Sequence, residues 1–219
     1  MRPGPESRLS VVLVLSQVIV GVRDLDDATH RFRLMGFDVL DGGVHPGFGT
    51  ANRVIPLGAQ YIELLGVVSP EQAQDSEYGR ALLRATADGD CLVRWSLRTD
   101  AIERVATRLG IGVEHRRRMR PDGELLTWRA AGLELALADG TLPFFMQWDR
   151  DEQYPGVMAA AHPNGARRVT ALGVTPRNPA RFRHWTHDAH VPLRIHTGAV
   201  PGLWSVAVVT DRGELSITG

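Results

Sequence analysis

The sequence predicts an α+β fold built of repeated β-α-β-β-β modules. Three observations carry this. A strand-helix-strand-strand-strand order recurs three times along the chain. The first two helical stretches each stop at a glycine, Gly36 and Gly110, the residue that most easily takes the left-handed conformation ending a helix. Glycine and proline are also plentiful, 23 and 13 residues, as turn-rich β structure requires.

The elements follow in order. A tail over residues 1–8 is predicted to be disordered. The apolar run "LSVVLVLSQVIVGV" is too short to span a membrane, lacks a basic leader and cleavage site, and reads as buried strand. In the first module, 9–67, a strand over Gln17–Val22 precedes a helix capped by Asp24 or Asp26. Strands over Asp38–Leu40, Asn52–Pro56 and Gln60–Leu65 follow, the last two joined at Leu57–Gly58. A linker, 68–90, turns helical around "SEYGRALLRA". The second module, 91–149, opens with "CLVRWSLR", caps a helix at Thr99 or Asp100, and continues through "GVEHRRRMR", a "PDG" turn, "ELLTWRA" and "LPFFMQW". After a linker, 150–165, residues 166–219 repeat the order in shorter form.

Composition narrows the function. Formal net charge is zero, so no global field attracts nucleic acid or an anionic membrane. Lysine is absent, which excludes Schiff-base chemistry. Cys91 is the only cysteine, so neither an intrachain disulfide nor a thiolate metal cluster can form, and a cytoplasmic setting is expected.

Five stretches, "VRDLDDATHRFRLMGFDV", "HPGFGTANRVIPLGAQYIELLGV", "RWSLRTDAIERVATRLG", "RPDGELLTWR" and "LPFFMQWD", resemble the glyoxalase-like domain family of the vicinal-oxygen-chelate superfamily. The resemblance spans roughly Gln17 to Asp149. It implies paired modules whose sheets curve into an open cup with helices outside. Lyases, isomerases, dioxygenases and ligand-sequestering proteins share that fold, so the activity stays open. The resemblance also implies metal ligands on the first and last strands of a module, where Gln17 and Glu63 fall.

Alternation along the strands turns Gln17, Ile19 and Gly21, and likewise Tyr61, Glu63 and Leu65, toward one face. An amide and a carboxylate suit a hard divalent ion. In the second module the matching positions are Leu92 and Gln147, and leucine cannot ligate. The candidate metal set is therefore Gln17, Glu63 and Gln147, and the cofactor is none or a single divalent ion. Arg94 and Ser96 are expected on the cup face too, so an Arg94–Glu63 ion pair competes with metal ligation. Arg94 is also placed to clamp an acidic ligand.

In "HPGFGTAN", His45 is the candidate general acid–base because its ordinary pKa is near neutrality. Thr50 and Asn52 offer directional hydrogen bonds. Tyr61, Trp128 and Phe145 complete the expected ligand-binding set, with Trp95 in the core. His184, His187, His190 and His196 read as helix surface and its surroundings, and "HRRRMR" as a charged edge strand with an arginine-lined rim as the alternative. The expected partner is a small molecule in the cup. Neither nucleic acid nor membrane is expected, and a homodimer would cover the odd third module.

Overall fold

A computed structural model describes residues 11–120, 123–187 and 189–218. The expected tail over 1–8, and Pro121 and Asp122 of the expected turn, lie outside the described residues.

The first module comprises β1 (Leu13–Val22), α1 (Leu25–Leu34), β2 (Leu40–His45), β3 (Thr50–Pro56) and β4 (Tyr61–Val67). Asp24 starts α1, its carboxylate accepting from the backbone N–H of Asp26 and Asp27 at 2.9 and 2.8 Å, which satisfies two donors that the first helical turn leaves unpaired. The helix buries Leu25, Ala28 and Phe32 in one cluster with Val18, Val20 and Val22 of β1 and Ile62 and Leu64 of β4. Each of these side chains larger than alanine contributes roughly 1.5–3 kcal/mol on burial. The opposite strand face carries Gln17, Ile19, Tyr61, Glu63 and Leu65, in the phase the sequence predicts. β1 begins four residues earlier than expected because Leu13 and Leu15 are also core.

A short helical pair, α2 (Pro70–Asp75) and α3 (Glu77–Ala85), leads to the second module: β5 (Cys91–Arg98), α4 (Ile102–Leu109), β6 (Val113–Met119), β7 (Leu125–Ala131), α5 (Leu133–Ala138) and β8 (Phe144–Trp148). Gly110 ends α4 in the left-handed conformation, φ 66°, as the sequence predicts. The start of α4 differs from expectation: Thr99 bonds Ala101 N at 3.1 Å, while Gln147 Oε1 accepts from Ile102 N at 3.0 Å.

The strands run β2-β3-β4-β1-β5-β8-β7-β6 in one sheet, to which β10 (Ala189–His190) adds beside β1. Antiparallel β1 and β5 join the modules, with Gln17 opposite Ser96 and Ile19 opposite Arg94. The two edges come round toward each other. A side chain built at Gly43 on β2 would run into Arg118 on β6, and one at Gly42 into Asn52. Glycine at 43 lets the two edges of the barrel-like cup approach, and glycine at 42 leaves room for Asn52 of the neighbouring β3.

Residues 149–165 cross under the cup through two short 3-10 turns, Asp151–Gln153 and Pro155–Val157. Tyr154 is fully buried there, its hydroxyl donating to Ser16 O or Ala59 O, each at 2.9 Å. The last segment, β9 (Arg168–Thr175), α6 (Pro179–Trp185), β11 (Leu193–Ile195), β12 (Gly202–Thr210) and β13 (Gly213–Thr218), makes a second sheet ordered β11-β9-β12-β13. Its apolar face, with Leu172, Val174, Val206 and Val208, joins the core outside the cup. Phe182 and Trp185 of α6 meet Trp95 and Phe145 at ring-centroid separations of 6.2 and 5.9 Å.

Candidate functional site

The concave face of the large sheet encloses a cavity of about 130 Å³, open to solvent. Strand register arranges its walls. On β6, β7 and β8, Arg116 stands directly opposite Trp128, and Trp128 opposite Trp148. One guanidinium and two indoles thus form a row across three strands, the indole rings 5.2 Å apart and tilted by 30°. Arg118, two residues along the same strand as Arg116, shares its face. Across the cavity lie Gln17, Asn52, Tyr61 and Glu63, together with His45 and Phe48. Tyr78 of α3 covers one end, its ring 5.1 Å from that of Phe48 and resting on the Arg94 guanidinium, whose Cζ is 4.5 Å from the ring centroid.

Glu63 is 6% exposed and is held by Asn52, whose Nδ2 donates to Glu63 Oε1 at 2.7 Å. Asn52 is fixed in turn by Gly43 N, which donates to Asn52 Oδ1 at 2.8 Å. The expected Arg94–Glu63 ion pair does not form. Arg94 turns instead under Tyr78, and among the cations Arg118 acts on Glu63 ahead of Arg94. Burial raises the Glu63 pKa above the usual carboxylate value, against the opposing pull of Asn52, Arg118 and Arg94. His45 bonds Thr50 Oγ1 through Nδ1 at 3.0 Å. Burial, then the charge of Arg118, lowers its pKa from 6.5 to about 4, so its ring is neutral at neutral pH. Tyr61 donates its hydroxyl to Gln17 Oε1, and burial followed by the Glu63 charge pushes its pKa well up.

Among the described residues, five buried side-chain nitrogens have no hydrogen-bond partner: Arg94 Nε and Nη2, Arg116 Nε, Arg118 Nη1 and Trp148 Nε1. All are donors, and an unmade bond at a buried donor costs about 1–3 kcal/mol, more at a charged group. Three of the four residues line the cavity, and the fourth, Arg94, is 3% exposed beneath Tyr78. This donor set fits acceptor-rich ligands and does not fit a dication. Gln17 Oε1 already accepts from Tyr61 and Glu63 Oε1 from Asn52, while Arg118 would repel a second cation beside Glu63. Among the described residues no three His, Cys, Asp or Glu side chains cluster in metal-ligating geometry.

The structure brings His45, Asn52, Tyr61, Trp128, Gln17 and Glu63 onto one cavity. Thr50 is buried behind His45. Two expected inward residues lie on the opposite face. Because Ser96 pairs with Phe144 and Arg98 with Met146, β8 turns Phe144, Met146 and Trp148 inward. Phe145 therefore packs against Trp185, and Gln147 caps α4. The sequence reading gives Arg116 and Arg118 only within the arginine-lined rim that stands second to a charged edge strand, although alternation in "HRRRMR" carried the signal. It misses Tyr78, which sits in a segment read as linker, and Trp148, whose inward phase follows from the same pairing.

A family model described as a glyoxalase-like domain matches residues 17–189. No curated protein matches the chain significantly. Among solved structures, a hypothetical protein from Staphylococcus aureus superposes with a TM-score of 0.68 at 17% identity, covering 89% of this chain and 90% of the other. That extends the shared fold through the second sheet. Methylmalonyl-CoA epimerase from Mycobacterium tuberculosis aligns with a TM-score of 0.42 at 15% identity, over 61% of this chain and 85% of the other. A 4-hydroxymandelate synthase variant from Streptomyces coelicolor aligns with a TM-score of 0.48 at 13% identity, over 94% and 62%.

Proposed function

The chain belongs to the glyoxalase-like domain family of the vicinal-oxygen-chelate superfamily, and from that premise we propose that its cup binds a small anionic molecule through arginine rather than through a metal ion. The observation that carries this reading is the set of unpartnered buried donors on Arg118, Arg116 and Trp148 around one cavity. Such donors are costly in the free protein and gain their bonds when a carboxylate or similar acceptor enters. A lyase, isomerase or dioxygenase that works through a divalent ion needs that ion beside Glu63, where Asn52 and Arg118 already act on the carboxylate.

The test is thermal unfolding of the wild type and Arg118→Met in acetate, benzoate, phosphate and sulfate at matched ionic strength. A ligand that binds only the folded state raises the midpoint in proportion to RT ln(1 + [L]/Kd). The reading expects at least one anion to raise the wild-type midpoint and to lose that effect in Arg118→Met. Equal responses in both proteins would overturn it.

Among the described residues no helix is long and apolar enough to cross a membrane. We retain the homodimer as part of the proposal, with the second sheet as the contact: β13 is an edge strand and Trp204 on β12 is 42% exposed. Light scattering at twice the chain mass supports it, and a monomer overturns it.

A further inference from the structure

We infer that the ligand is a single-ring aromatic carboxylate, its acid group toward Arg118 and Arg116 and its ring on the Trp128–Trp148 pair; this rests on the anion reading above. Three observations point there. The first is register: Arg116, Trp128 and Trp148 are direct cross-strand neighbours in sequence across β6, β7 and β8. Anionic and π-stacking contacts therefore lie side by side rather than at opposite ends of the cup. Indole faces favour flat rings over saturated ones of equal area, through offset or edge-on packing.

The second is size. An apolar cavity of ~150 Å³ in another protein takes up benzene, and the cavity here is about 130 Å³. That space suits one ring carrying a short acidic side chain. A fused polycyclic acid or a long-chain fatty acid has too large an apolar part. The third is polarity. Beyond the two indoles, Phe144, Met146, Ala130 and Leu133 line the cavity and offer a ring no side-chain hydrogen bond. The unpartnered donors sit on the two arginine-bearing positions and on Trp148 Nε1. An inorganic anion would leave this apolar wall uncovered, and a neutral aromatic would leave Arg118 Nη1 and Arg116 Nε, whose guanidinium otherwise pairs with Glu114, without an acceptor. One molecule with both parts meets both the apolar wall and the unpartnered donors.

The test is calorimetric titration of the full chain, followed in parallel by tryptophan fluorescence, with four probes: phenylacetate, cyclohexylacetate, benzyl alcohol and acetate. Phenylacetate is expected to bind at least tenfold more tightly than each of the others and to change the fluorescence. Trp128→Leu is expected to lower its affinity at least tenfold while leaving acetate binding within twofold. Trp148→Phe, which keeps a ring but removes the unpartnered N–H, is expected to cost phenylacetate less than Trp128→Leu does. If cyclohexylacetate binds as tightly as phenylacetate, the aromatic inference is overturned and the anion reading stands. If benzyl alcohol matches phenylacetate, or no probe binds, both are overturned.

Discussion

Asn52 donates to Glu63 across 2.7 Å inside the cup, and with Gly43 N bonded to its own carbonyl it ties the edge strand β2 to the one buried carboxylate of the cavity. Asn52→Leu removes both bonds at once and leaves Glu63 Oε1 and Gly43 N unsatisfied. At about 1–3 kcal/mol for each buried polar group, the variant should lose roughly 2–4 kcal/mol of stability. Urea unfolding measures this; a loss below about 1 kcal/mol would mean that the tie is not structural.

Glu63 and His45 should give the stability curve opposite slopes at low pH. Burial raises the Glu63 pKa above 4.5, so the folded state holds this proton more tightly than the unfolded chain. Stability from this group is present below 4.5 and is lost as pH rises through its folded value. Glu63→Gln should accordingly stabilise the protein at about pH 8, with the gain vanishing near pH 4. For His45, whose pKa falls from 6.5 to about 4, the unfolded state binds the proton more tightly. Its contribution is present above 6.5 and is lost as pH falls toward 4, and His45→Gln should flatten that limb. Unfolding midpoints measured from pH 4 to 8 check both signs.

Arg118 should trade stability for binding. Its Nη1 is buried without a partner, and burial pulls its pKa down while Glu63 and Tyr61 push it back up. Arg118→Met keeps the length and apolar packing and removes the unmade bonds. At pH 4, where Glu63 is protonated and no longer needs the Arg118 charge, the ligand-free variant should be as stable as the wild type or up to about 1 kcal/mol more so, with anion affinity at neutral pH down at least tenfold. A variant that is less stable yet binds anions normally would assign Arg118 a purely structural role.

The two glycines of β2 should fail differently. A side chain at Gly42 meets the side chain and backbone oxygen of Asn52, whereas one at Gly43 meets the end of the Arg118 side chain. Gly42→Ala should therefore cost about 1–3 kcal/mol as overpacking. Gly43→Ala should chiefly displace Arg118 and weaken anion binding with a smaller stability loss. Paired unfolding and titration of the two variants separates these outcomes.

What the sequence made legible was whatever depends on local pattern. The α+β fold, the α1 cap at Asp24, the stop at Gly110 and the inward phase of Gln17, Tyr61 and Glu63 all follow from periodicities within single elements. Phase in β8 does not. The run "LPFFMQW" is apolar on both sides, so only its pairing with β5 turns Met146 inward and Gln147 out. Arg116 and Arg118 were readable as alternating, yet an edge strand shows which of its faces is inner only once the sheet has curled round to Gly43. The partner of Glu63 was obscured for a related reason. Asn52 reaches it through the β3–β4 register, where Val54 stands opposite Glu63 and Asn52 opposite Leu65, a diagonal relation that spacing along the chain does not reveal.

On the proposed function, arginine rather than a metal ion holds the ligand in this cup. Calorimetric titration of chelator-treated protein with phenylacetate, repeated on Arg118→Met and Glu63→Gln, tests it most directly. Binding should survive chelation, persist in Glu63→Gln and fall at least tenfold in Arg118→Met. Binding that needs added divalent metal, disappears in Glu63→Gln and persists in Arg118→Met would contradict it.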